Sequence, residues 1–275
     1  AKDPKLFAEF TPAVTSDLRS SLELFLDDVI NGAEPDFRKL LQTEELYLNG
    51  TLARLYGADL PADAPFQKVK PKVGERAGLL SHPYLMANFA YTATSSPIHR
   101  GVFLSRALLG RTLRPPPEAV APLAPDLQPS LTTRERVTLQ TSPAACQTCH
   151  AMINPLGFGL ENYDAIGRYR LDEKSKPVDP TGSYQTRSGP VVKFKGVREL
   201  AAYLVQSEET QNAFVEQLFQ GLVKQPILAY GSQMLADLRQ SFVEQNCDMR
   251  DLMVEIAVKS IAGHSPRKLT ASVAR

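Results

Sequence analysis

The sequence predicts a mainly α-helical chain. A helical N-terminal unit spans residues 1–113, a proline-rich connector 114–130, and a second helical unit with a small β-hairpin 131–275. Three observations lead there. Apolar residues recur every three or four positions along most of the chain, as in helices with one buried face. Prolines crowd at 115, 116, 117, 122, 125 and 129, where neither helix nor central strand persists. Alternating Val, Tyr and Thr with Gly182 and Gly189, within 178–194, suggest the hairpin.

In the first unit, Leu18, Leu22, Phe25, Leu26 and Val29 form a helix face behind a Thr15-Ser16-Asp17 cap, and Asn31-Gly32 supplies the stop. A second run carries Phe37, Leu40 and Leu41, then Leu46, Leu52, Leu55 and Tyr56, broken at Asn49-Gly50 and closed by Gly57. A third helix starts near Ala77 with Leu79 and Leu80. A fourth follows Pro97 with Val102, Phe103, Leu104, Leu108 and Leu109. Three consecutive prolines favour a stiff, extended connector lying across the surface. Beyond it, residues 133–139 predict a short polar helix, and a further helix follows Ser142-Pro143-Ala144-Ala145. Asn154-Pro155-Leu156-Gly157 is expected to end that helix, and Gly159 and Gly167 to break the next segment into turns. Helices are then expected over 197–206, 208–224, 232–243 and 249–261, each with an apolar face.

Charge is balanced, 31 basic against 30 acidic residues, which gives no electrostatic footprint for nucleic acid or an anionic membrane. No apolar run approaches the length of a membrane-spanning helix, and Ala1-Lys2-Asp3-Pro4 is not a signal peptide.

The most informative residues are Cys146-Gln147-Thr148-Cys149-His150. Two thiols three positions apart on a helical turn lie on one side, spaced to add to the two vinyl groups of a haem, with the adjacent imidazole directed at the iron. A structural zinc site wants four ligands, and the third cysteine, Cys247, stands alone about a hundred residues away. A thioredoxin-like dithiol should follow a strand, whereas this motif follows a helix start. One covalently attached haem c with His150 as proximal ligand is therefore expected. The fold class becomes a helical N-terminal unit packed on a mono-haem, cytochrome c-like helical domain with a small hairpin. Cys247 is expected to be buried and inert rather than disulfide-bonded to a partner.

The sixth coordination position is open to several readings. His82, His99 and Met253 are weak candidates; each histidine is more readily a hydrogen-bonded or exposed residue, and Met253 more readily core filler. Met152 is too near His150 to reach the other haem face, Met234 and Met249 read as core filler, and His264 is near the C-terminus. Arg168 and Arg170 offer guanidinium donors to the haem propionates, or are solvated. Glu161 and Asp164 cap loops or pair with those arginines. Tyr163 and Tyr169 pack on the porphyrin edge or in the core.

The block from Cys146 through Asn154-Pro155-Leu156-Gly157-Phe158-Gly159-Leu160-Glu161-Asn162-Tyr163-Asp164 to Gly167-Arg168-Tyr169-Arg170 resembles the haem core of the planctomycete-type cytochrome c proteins, a bacterial group built from domains of unknown function. Departures are Asn154, where Asp is usual, and Tyr230-Gly231-Ser232, where a Gly-Arg pair would be expected. The resemblance does not settle an activity, but it implies that the chain works within something larger; one-electron transfer within such a redox system is expected from the haem itself. Redox partner proteins are expected, such as other cytochromes or a membrane complex. Thioether attachment belongs outside the bacterial cytoplasm, so an exported, periplasmic or cell-surface location is expected. Two other functions compete: a haem-bearing structural or relay subunit of a complex, and a peroxidase or oxygenase with an open distal site using the His99-Arg100 pair.

Overall fold

The computed structural model describes residues 1–71, 76–113 and 129–262. The proline-rich connector, apart from Pro129 and Ser130, lies outside the described residues, as does His264.

The architecture is mainly helical with two-stranded sheets attached. Helix α1 (Pro12–Asn31) begins at Thr11, whose side chain accepts from Val14 N while Pro12 occupies the first turn. It starts earlier than the Thr15-Ser16-Asp17 cap implies, because Thr11-Pro12 combines a cap with a preset φ. Its face Val14, Leu18, Ser21, Phe25 and Val29 is buried. After α2 (Phe37–Gln42) the expected long run divides. Strand β1 (Leu46–Leu48) pairs antiparallel with β2 (Gln67–Val69), and α3 (Gly50–Tyr56) lies between them, closed by left-handed Gly57. The helix expected at Ala77 is a 3₁₀ turn, Gly78–Ser81, followed by α4 (Pro83–Asn88). Helix α5 (Pro97–Phe103) passes into a π-turn, Leu104–Leu108.

In the second half come α6 (Thr133–Gln140), α7 (Ala144–Phe158), the short pair β3 (Asp172–Glu173) and β4 (Lys176–Pro177), and the hairpin β5 (Thr181–Gln185) with β6 (Val191–Lys195). Helices α8 (Gly196–Gln206), α9 (Glu208–Val223), α10 (Met234–Glu244) and α11 (Met249–Ala262) close the chain. One continuous core takes residues from both sides of the connector, among them Phe25, Leu41, Met86, Leu104, Leu156, Leu200, Phe219, Phe242 and Ile256. Cys247 belongs to this core, and burial pushes its thiol pKa up. Among the described residues no helix is long and apolar enough to cross a membrane.

Helix α7 does not stop at Asn154-Pro155 but runs on to Phe158 with Pro155 inside it. A proline in a helix interior forfeits a hydrogen bond and strains the preceding turn. Burial of Ile153, Leu156, Gly157 and Phe158 offsets that cost. The main support is α5, which crosses α7 at two glycines. A Cβ on Gly101 would fall on the carbonyl oxygen of Ile153, and one on Gly157 on that of Pro97. The contacts are therefore backbone to backbone, with α5 running antiparallel to α7. Gly101→Ala and Gly157→Ala are each expected to cost about 1–3 kcal/mol or more by prying the helices apart. The readout is the urea midpoint; an unchanged midpoint in both variants would contradict so close a crossing.

Candidate functional site

Helix α7 has two different halves. Its last two turns are buried against α5, while Ala144, Ala145, Gln147, Thr148 and Ala151 in the first turns are exposed. Cys146, Cys149 and His150 lie in this open half, each partly buried, and both thiols are unpaired. The turn is wound tightly from its start, with the amides of Cys146 and Gln147 both donating to Pro143 O at 2.9 and 3.2 Å.

The imidazole of His150 is held by a chain of side chains. Its Nδ1 lies 2.8 Å from Asn154 Oδ1, one turn on. Asn154 Nδ2 donates to Thr141 Oγ1 at 2.8 Å, and Thr141 Oγ1 donates in turn to Val137 O at 2.8 Å. Asn154 and Thr141 are both buried. The hydroxyl proton of Thr141 is spent on Val137, so its oxygen accepts the asparagine NH₂. Asn154 then presents its carbonyl oxygen to His150, and Nδ1 must carry the proton. That leaves the Nε2 lone pair unprotonated. Gln147 Nε2 donates to Thr141 O at 2.5 Å and ties the motif turn to the same residue.

Helix α6 carries this relay. Its N-terminus has a reciprocal cap between Thr132 and Glu135, and both the amide and the hydroxyl of Thr133 donate to Glu173, at 2.8 and 2.7 Å. Glu173 also pairs with Arg170 at 3.3 Å. Thr141, one residue beyond the C-terminal end, is therefore positioned from both directions.

The donor chemistry fits a covalently held haem. Two unpaired thiols share a side of an open helical turn, and the neighbouring imidazole has one nitrogen anchored and the other free as a ligand.

The remaining sequence candidates lie in different places. His82 is fully buried beside α1. Its Nδ1 accepts from Tyr84 N at 3.3 Å, capping α4, and its Nε2 meets Ser21 Oγ at 3.3 Å, so both nitrogens are engaged. His99 is exposed, with Nδ1 2.9 Å from Ser96 Oγ and its ring edge-on to Tyr91. It stands two residues from both Pro97 and Gly101, about 200° round the helix from the face that meets α7. Met253 is half-buried on α11, which packs chiefly against α9 and α10. Arg168 binds Asp164 at 2.8 Å and exposed Glu9 at 2.7 Å. Arg170 binds Glu161 at 3.2 Å and Glu173 at 3.3 Å. Tyr163 and Tyr169 contact each other edge-on, with Tyr163 fully buried beneath the Arg76 guanidinium. Arg100 does not face outward with His99; its guanidinium is fully buried and donates to four backbone carbonyls.

Sequence reasoning missed the role of Asn154, which it read as a helix stop. The signal was present in the i,i+4 spacing from His150, which places two helical side chains on one face.

Residues 76–173, which include all of α7, match the family model described as PSCyt3, a protein of unknown function (DUF1588). Residues 1–58 match that described as PSD4, a protein of unknown function (DUF1592). Both are planctomycete cytochrome-type domains. No curated protein and no solved structure matches the chain.

Proposed function

We propose that this chain, with its two cytochrome-type domain matches, is a mono-haem c-type cytochrome that passes single electrons outside the cytoplasm as part of a larger redox system. The observation that carries this is the His150–Asn154–Thr141 relay beside two unpaired thiols, which leaves one imidazole nitrogen free on an exposed helical turn.

In this reading Cys146 and Cys149 hold one haem c by thioether bonds and His150 Nε2 is its proximal ligand. When bound, the haem supplies a one-electron couple. Asn154 and Thr141 keep the proton on Nδ1 and fix the plane of the ring. A propionate role for Arg168 or Arg170 requires an exchange of partners. Arg168 is the easier of the two, since it and Glu9 are 36% and 43% exposed and such a pair contributes little to stability. Arg170 is held by two carboxylates that are themselves largely buried. Electron transfer is favoured over peroxide chemistry because Arg100, the only arginine adjacent to a histidine in the chain, is committed to backbone carbonyls inside the fold. An exported location follows from the thioether chemistry, and redox protein partners, such as other cytochromes or a membrane complex, follow from one-electron transfer.

The test is expression of the full chain with a haem-attachment system. Acid-acetone-washed, denatured protein should retain a pyridine haemochrome and the added mass of one haem, and Cys146→Ser/Cys149→Ser should lose both. Ferrous protein should keep its spectrum under carbon monoxide. Wild-type protein with the bare polypeptide mass would remove the haem reading, and rapid carbon monoxide binding would replace electron transfer with chemistry at an open iron.

A further inference from the structure

We infer that Asn154, oriented by Thr141, is a positioning residue that sets the donor strength of His150 and thereby raises the reduction potential of the site. This deepens the haem reading above and rests on it.

The argument begins with the direction of each hydrogen bond. Thr141 Oγ1 donates to Val137 O, so it accepts from Asn154 Nδ2. That choice turns Asn154 Oδ1 toward His150 Nδ1 at 2.8 Å. Asn154 is 5% exposed and Thr141 is 3% exposed, so water does not compete for either group. Asn154 also immediately precedes Pro155, a position that disfavours helical backbone; being bonded at both ends of its amide keeps it in the helix. The imidazole is thus aimed by a side chain that cannot rotate without breaking one buried and one partly buried bond.

The second step is charge. A carboxylate at this position would draw the Nδ1 proton and make the ring a stronger donor, which favours the oxidised metal. An amide oxygen is a neutral acceptor. It fixes the tautomer without adding negative charge, so the ring stays a moderate donor and the reduced state is favoured by comparison.

Two measurements test this, one of them without haem. In the haem-free full chain, ¹⁵N NMR of His150 should show the proton on Nδ1. Thr141→Val should allow both tautomers, and Thr141→Ser should restore the wild-type pattern. In the haem-loaded protein, Asn154→Asp should lower the midpoint potential by at least the 59 mV that corresponds to a tenfold shift of a one-electron couple. Thr141→Ser should keep the wild-type potential. A wild-type His150 protonated on Nε2, or equal midpoints for wild type and Asn154→Asp with haem incorporated in both, would overturn the inference. Failure of the wild type to hold haem would instead overturn the haem reading, while the NMR comparison would still decide the tautomer.

Discussion

Arg100→Met is expected to destabilise the protein by about 3–5 kcal/mol, the range for removing one partner from a buried charge pair. Arg100 is 0% exposed, and its two terminal nitrogens donate to Leu160 O, Tyr163 O, Met86 O and Asp164 O at 2.7–3.2 Å. These carbonyls belong to α4 and to the loop that follows α7, so one guanidinium joins α5 to both. Its charge is balanced by Glu161, 3.6 Å away and equally buried. Desolvation pushes the Arg100 pKa down to about 10, so it stays charged at neutral pH. Desolvation raises the Glu161 pKa, against the pull of Arg170 and Arg100. Methionine fills similar volume but gives the carbonyls no donors and leaves Glu161 with Arg170 and Ser95 alone. A loss of this size is a large share of the 5–15 kcal/mol typical of a folded domain. Arg168→Ala, which removes two partly exposed pairs, with Glu9 and Asp164, should cost at most about 2 kcal/mol. Urea unfolding at neutral pH decides it. If Arg100→Met falls within 1 kcal/mol of wild type, the cluster does not hold the loop to the helices.

The same residue shows where sequence reasoning stops. Arg100 beside His99 reads locally as a reactive pair, because nothing nearby in the chain reveals that four carbonyls from distant segments converge on it. Arg76, buried between Tyr56 and Tyr163, was invisible for the same reason. Helices with a sustained apolar period were legible: α8 and α9 lie within a residue of their expected limits, and α10 and α11 within two. Strands β1 and β2 were not, since three residues each are too few to establish alternation. The Cys146–His150 motif was legible because all its chemistry is contained in one helical turn. Its support was only half legible. The spacing of Asn154 from His150 is local, but Thr141 joins through a turn between helices that no periodicity describes. The end of α7 was misjudged because Pro155 is a strong local stop signal, and what carries the helix past it, chiefly the glycine crossing with α5 together with burial of its last turns, is tertiary.

Stability should fall steeply as pH drops below about 6.5, and His82 should carry much of the fall. Its ring is fully buried between α1 and α4, where Nδ1 accepts from Tyr84 N and Nε2 meets the hydroxyl of Ser21. Protonation would place a cation where no carboxylate is hydrogen-bonded to the ring, and would turn the nitrogen that caps α4 from acceptor to donor. Desolvation, reinforced by the nearby Arg76 charge, pushes its pKa from 6.5 to about 3. Between those values the unfolded chain binds a proton that the folded chain does not. The contribution is therefore complete above pH 6.5 and is lost as pH falls toward 3, at about 1.4 kcal/mol per unit. Carboxylates such as Glu135 and Asp179, whose pKa values are held low by hydrogen bonds and ion pairs, add their own losses lower on the scale. The comparison to make is thus between pH 6.5 and 4.5, against His82→Asn, which retains a capping oxygen and cannot titrate. Over that window wild type should lose roughly 2–3 kcal/mol more than the variant. Parallel curves would mean that water or a local opening reaches the ring, and that α1 and α4 are not closed over it as tightly as this packing requires.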